Sequence, residues 1–192
     1  MPGSVQPSSV AATAAPASLT LRRIVAVAIG TVCVALAAQV AVNLPGNPVP
    51  VTLQGLAVLL VGGLLGPRLG TAALVTYLAA GAAGLPVFAP SALSGIARLL
   101  GPTGGYLLAF PVAAGVTGAL SRDGRLARSL LAALAGMVVI HLGGIAQLTI
   151  LTGNLRQAMT WGGIPFFAVD LVKVTLAALL ITRFRAPVRT LI

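Results

Sequence analysis

The stretch Ser129-Leu130-Leu131-Ala132-Ala133-Leu134-Ala135-Gly136-Met137-Val138-Val139-Ile140-His141-Leu142-Gly143-Gly144-Ile145-Ala146-Gln147-Leu148-Thr149-Ile150-Leu151 contains no charged residue. A helix needs roughly 20 consecutive apolar residues to cross the hydrocarbon core of a bilayer, and this run supplies them. It is bounded by the polar turn Ser121-Arg122-Asp123-Gly124-Arg125 and by Thr152-Gly153-Asn154-Leu155-Arg156. The segment therefore reads as a spanning helix from about 126 to 151.

The rest of the chain has the same character. Of its 192 residues 58% are hydrophobic and only 7% charged, with a mean hydropathy of +1.05. Soluble domains carry about 25% charged residues, so lipid must be the solvent for most of this surface. The length suits one domain of about six spans. The net charge is +10, from 12 Lys+Arg against 2 Asp+Glu. In a soluble protein that excess suggests nucleic acid. Here the cations sit at the ends of apolar runs, where membrane topology places them. The single cysteine, Cys33, lies inside the first apolar run. It can form no internal disulfide and has no metal-ligand company, so it reads as an inert apolar filler.

Residues 1–20 are rich in Ala, Ser and Pro and uncharged, which predicts a disordered tail ahead of one domain over 21–192. The first span is predicted over 21–42, followed by a loop through Asn43-Leu44-Pro45-Gly46-Asn47-Pro48-Val49-Pro50, dense in helix breakers. The second span runs over 52–65 and is stopped by Gly66-Pro67-Arg68; the third runs over 69–85. A packed loop over 86–103 leads to the fourth span, 104–120, with Pro111 as a kink. After the fifth span and a loop over 152–164, the sixth covers 165–182, with Pro165 at its start. The predicted fold class is an all-α integral membrane protein, a bundle of six transmembrane helices.

The arginines assign sides. Numbering the connections alternately from the inside puts Arg22, Arg23, Arg68, Arg122, Arg125, Arg128, Arg183, Arg185 and Arg189 on one side and Arg98 and Arg156 on the other. Nine against two is a strong bias, and cytoplasmic loops carry the excess. Both termini are predicted inside, and the loops 43–51, 86–103 and 152–164 outside.

One feature within the spans is energetically expensive. Asp170 and Lys173 lie together in the sixth span, one to three turns below the outer surface. Three residues apart, they share a helix face. A charge at mid-membrane costs about 2.5–3.5 kcal/mol on insertion scales, and a buried ion pair gains little stability in return. Either the pair is self-satisfied and pins the helix, or it serves a polar solute in a cavity open to the outside. An acceptor beside a donor suits an amide-like or ureido head on an apolar body. Lone His141 reads as a hydrogen-bond partner for a neighbouring helix, like Gln39 and Gln147, or alternatively as a ligand contact or proton relay. Thr52 and Gln54 either cap the second span or face a solute. Tyr106 and Phe88 read as interfacial anchors or as rings stacked on a solute. The small residues Ala26, Gly30, Ala37, Ala38 and Ala41 suit close helix packing, within the bundle or against another subunit.

Four segments in order carry a resemblance: Pro50-Val51-Thr52-Leu53-Gln54, Leu64-Leu65-Gly66-Pro67-Arg68-Leu69-Gly70, Gly84-Leu85-Pro86-Val87-Phe88 and Leu100-Gly101-Pro102-Thr103-Gly104-Gly105-Tyr106-Leu107. With the Asp170-x-x-Lys173 pair they resemble the BioY family, the biotin-binding substrate (S) components of energy-coupling-factor (ECF) transporters, over about 20–185. The resemblance implies the six-helix S-component bundle, N-in and C-in, in the cell membrane. It implies biotin near the outer face, contacted by Asp170 and Lys173, with Gln54, Phe88, Thr103 and Tyr106 as further candidate contacts. It also implies a transmembrane coupling subunit, met by the small residues of the first span, and two ATPase subunits. The segment Ala89-Pro90-Ser91-Ala92-Leu93-Ser94-Gly95 is less glycine-rich than the family pattern. Which end of biotin meets the pair stays open, and Arg98 or Arg156 could meet its carboxylate. Another small vitamin-like solute is the alternative.

No cofactor, metal or enzymatic activity is expected. Gly101-Pro102-Thr103-Gly104-Gly105 lacks the lysine of a phosphate-binding loop, so ATP hydrolysis falls to partners. There is no nucleophile elbow and no pair of intramembrane carboxylates. A structural subunit without a ligand would differ from an S component in gaining no stability from biotin.

Overall fold

The computed structural model describes residues 17–192. The expected tail therefore lies outside the described residues as far as 16, and Ala17–Thr20 already form the first turn of a helix. In chain order the helices are α1 (Ala17–Gln39), α2 (Gln54–Leu65), α3 (Pro67–Ala82), α4 (Gly95–Leu100), α5 (Gly104–Leu120), α6 (Leu126–Thr152), α7 (Leu155–Gly162) and α8 (Phe167–Leu191). A two-stranded antiparallel ladder joins β1 (Ala41–Val42) to β2 (Val51–Thr52), with Ala41 opposite Thr52. The fold is all-α apart from this seam.

Several boundaries differ from the sequence reading. The first helix stops at Gln39, and Ala41-Val42 leave it to pair with Val51-Thr52. Pro67 does not merely end α2; it opens α3 at the first helical position, where a missing N–H costs nothing. The joint is Gly66, with φ 83° and ψ 177°, a conformation essentially restricted to glycine. Two of the three segments expected as outer loops contain helices: α4 lies within 86–103 and α7 within 152–164. Asn154 caps α7, its side chain accepting from the Gln157 N–H at 3.2 Å, a recognisable start signal. The last helix runs past 182 to Leu191, through Pro187. Arg183, Arg185 and Arg189 are thus helical rather than a trailing end; arginine is a good helix former and suits a helix C-terminus.

α5 lies along α6, and α2 is enclosed by α3, α5 and α8. The core is made of Leu59, Leu74, Tyr77, Phe110 and Ile181 among many small residues, including Ala113, Ala114, Ala133 and Ala177. In lipid, helices associate by close van der Waals packing, which small residues permit. Ala26, Gly30 and Ala38 on α1 face this interior, and a Cβ on Gly30 would press on Ala73, Leu65 and Val61. Ala38 is wholly enclosed, whereas Ala26 and Gly30, although buried, also line an open apolar groove beside α1. Outward, α1 presents Ile24, Ile29, Val32 and Leu36. Cys33 also faces outward. Three helical stretches are long and apolar enough to cross a membrane, while α2 and α5 are shorter apolar helices.

Candidate functional site

One end of the bundle holds a cavity with about 590 Å³ of empty space, including its mouth. Its walls come from the segment before α2, from α4, from the start of α5, from the second half of α6 and from the start of α8. Met137, Ile140, Leu107, Phe110 and Phe166 supply apolar surface; Gln54, Arg98, Thr103, Tyr106, His141, Asp170 and Lys173 supply the polar groups. Such a chamber, mostly apolar with a few placed polar groups, is the usual form of a small-molecule site.

The two oxygens of Asp170 are bracketed. Lys173 Nζ donates to Oδ1 at 2.8 Å, and His141 Nε2 lies 2.6 Å from Oδ2. The other ring nitrogen, Nδ1, lies 3.1 Å from the Gly162 carbonyl, which also accepts from the Tyr106 hydroxyl at 2.8 Å. Asp170 and Lys173 are buried, yet both line the cavity. A carboxylate has about four acceptor positions and an ammonium three donors. Each member of the pair therefore keeps capacity for a solute.

Tyr106 stands where it does because α6 carries Gly144. A Cβ there would fall inside the Tyr106 ring. Two buried polar atoms in the lining have no partner among the described residues, Arg98 Nε and Thr103 Oγ1. Such orphans are costly unless a ligand or water satisfies them. No carboxylate pairs with Arg98 among the described residues. Burial holds the Arg98 guanidinium below its ordinary pKa, against an opposing influence from the Tyr77 phenol.

A family model described as the BioY family matches residues 10–190. The chain belongs to the BioY family. The biotin transporter BioY of Thermotoga maritima is 37% identical over 166 residues, covering 86% of this chain and 96% of that protein. A protein of Pyrococcus horikoshii named "Probable biotin transporter BioY" is 39% identical over 159 residues, covering 83% and 93%. The crystal structure of the S-component for biotin from an ECF-type ABC transporter superposes with a TM-score of 0.81. It is 24% identical and covers 90% of this chain and 95% of that one. That likeness establishes the fold.

In this BioY chain, five of the six residues singled out from sequence meet at the cavity: Gln54, Thr103, Tyr106, Asp170 and Lys173. Gln54 is also tied to the core, its amide donating to the Tyr77 hydroxyl at 2.7 Å. Phe88 does not join them. It is buried edge-on against Tyr77, with ring centroids 5.4 Å apart, and occupies the space that Gly81 leaves open. His141 fulfils its expected role as a partner for another helix, but that partner is Asp170 itself. Of the two arginines expected on the outer side, Arg98 lines the cavity, whereas Arg156 is exposed and does not. The apolar wall residues Met137, Ile140, Phe110 and Phe166 carried no sequence signal separating them from ordinary core.

Proposed function

We propose that this BioY chain is the biotin-binding subunit of an uptake system in the cell membrane. The observation that carries the reading is the buried Asp170–Lys173 pair lining a cavity together with two unpartnered polar groups, Arg98 Nε and Thr103 Oγ1. The names of the full-length relatives, biotin transporters, support the same solute.

Biotin has a ureido ring with two N–H donors and a carbonyl, an apolar thiophane and a carboxylate tail. Asp170 accepts from a ureido N–H and Lys173 donates to the ureido oxygen, while Met137, Ile140 and Phe110 enclose the thiophane. Arg98, paired with no carboxylate among the described residues, takes the tail. Gln54, Thr103 and Tyr106 complete the contacts, and Phe88 acts behind them by holding Tyr77. The chain itself carries out no catalysis. Six spans, with both termini in the cytoplasm, follow from the arginine bias. Energy comes from a coupling subunit and two ATPase subunits, in keeping with the ECF origin of the structural relative.

Equilibrium titration of the purified protein with radiolabelled biotin and with dethiobiotin tests this. Saturable biotin binding that is lost in Asp170→Asn and weakened in Lys173→Ala is expected. Unchanged affinity in both variants removes the site assignment. Absence of biotin binding by the parent protein leaves another vitamin-like solute as the reading.

A further inference from the structure

At the opposite end of the bundle, a cleft of about 1730 Å³, including its open side, lies between the α2–α3 joint, the α5–α6 turn and the last turns of α8. Five arginines line it, Arg23, Arg68, Arg122, Arg185 and Arg189, against one acidic side chain, Asp123, and the terminal residue Ile192. The Asp123 carboxylate is engaged with Arg128, which is not part of the lining. Arg185 is the telling member. It is 6% exposed, and its partners are all neutral: the carbonyls of Gly63 and Gly118 and the Ser121 hydroxyl. A buried guanidinium without an anion is costly, and arginines that served topology alone would extend into water. The N-terminus of α3, which has no side-chain cap, opens at the same place and adds further attraction for an anion.

A second hollow adjoins this cleft. An apolar groove of about 1240 Å³ runs between α1, α2 and the end of α8, lined by Val25, Ile29, Leu60 and Leu64. It shares Leu65 and Ile192 with the cleft. Arg22 lines the groove and Arg23 the cleft. A cationic cleft beside an apolar groove along α1 matches a molecule with an anionic head and a hydrocarbon tail. Residues 1–16 offer no acidic side chain and could not neutralise the cleft.

We propose that this composite site binds one anionic phospholipid of the adjacent leaflet, with its phosphate among Arg68, Arg122, Arg185 and Arg189 and an acyl chain along Val25 and Ile29. Basic pockets between membrane helices favour such headgroups. The inference rests on the membrane placement of the chain and not on the identity of the transported solute.

Native mass spectrometry of the purified protein, offered equal amounts of phosphatidylglycerol and phosphatidylcholine, tests it. One phosphatidylglycerol retained in clear preference is expected. In Arg122→Gln/Arg189→Gln, both positions being exposed, that preference falls roughly thirtyfold, the contribution of two arginines near a lipid surface. Val25→Trp, which fills the groove and leaves the arginines intact, also releases the lipid. Equal retention of both lipids, a preference unchanged in either variant, or displacement of the lipid by inorganic phosphate at millimolar concentration would overturn the proposal. An unchanged helical circular-dichroism signal in each variant separates loss of the site from loss of the fold.

Discussion

His141 Nε2 on α6 stands 2.6 Å from Asp170 Oδ2 on α8, so the buried carboxylate is held from two helices at once. A hydrogen bond to a charged group contributes about 1.5–3 kcal/mol. His141→Ala should therefore weaken biotin binding about tenfold or more, although the ring need not touch the solute. Isothermal titration of the variant checks this; parental affinity would show that Lys173 alone positions Asp170.

Lys173 and Asp170 behave as a unit. Removing only the lysine leaves a buried carboxylate with His141 as its remaining partner, and breaking a buried pair costs about 3–5 kcal/mol. Lys173→Met should lower the unfolding temperature more than Asp170→Leu/Lys173→Met, which replaces the pair with apolar groups. The double variant should approach parental stability while failing to bind biotin. Thermal unfolding and binding of the same preparations separate the two effects.

Arg98 discriminates between head groups. If its guanidinium meets a carboxylate, the parent protein binds biotin better than biotin methyl ester. The difference should be about tenfold or more, the strength of one hydrogen bond to a charged group. In Arg98→Gln the difference should vanish. Competition titrations with the two ligands measure it directly; an equal preference in parent and variant would place the tail elsewhere.

Gly144 is required by a ring on another helix. Gly144→Ala drives a Cβ into Tyr106 and separates the Tyr106 hydroxyl from the Gly162 carbonyl. Overpacking of this kind costs about 1–3 kcal/mol, and the cavity wall moves with it. A lowered unfolding temperature is expected, and Gly144→Ala/Tyr106→Ala should recover part of it. No loss in the single variant would mean that α5 and α6 can separate at little cost.

Apolar runs and arginine spacing make the long helices legible, because hydrocarbon admits few alternatives for such segments. The Asp170–Lys173 pair is legible because charge is expensive in a span. What escapes a linear reading is local or tertiary. Ala41-Val42 become a strand only because Val51-Thr52 are there to pair with. Arg185 looks like another terminal cation until α8 is seen to carry it against Gly63 and Ser121. Phe88 shares a motif with cavity residues, yet the hollow above Gly81 claims its ring. Arg98 and His141 are visible in the sequence as isolated polar residues, but their meeting with Asp170 and Lys173 around one chamber depends on three separate helices, α4, α6 and α8, coming together.

The shortness of α2 has an architectural consequence. Its 12 residues rise only about 18 Å, against roughly 30 Å of hydrocarbon. α2 alone therefore falls short of a full crossing, and a span that passes through it needs irregular backbone on at least one side to make up the missing height. Such backbone is tolerated at that depth only where protein or a water-filled hollow shields it from lipid. The upper storey of the vestibule is thus masonry of loops standing on a helical foundation. On that side the cavity is walled by the extended residues 49–52 and by the short α4, while the long helices α5, α6 and α8 carry its remaining lining.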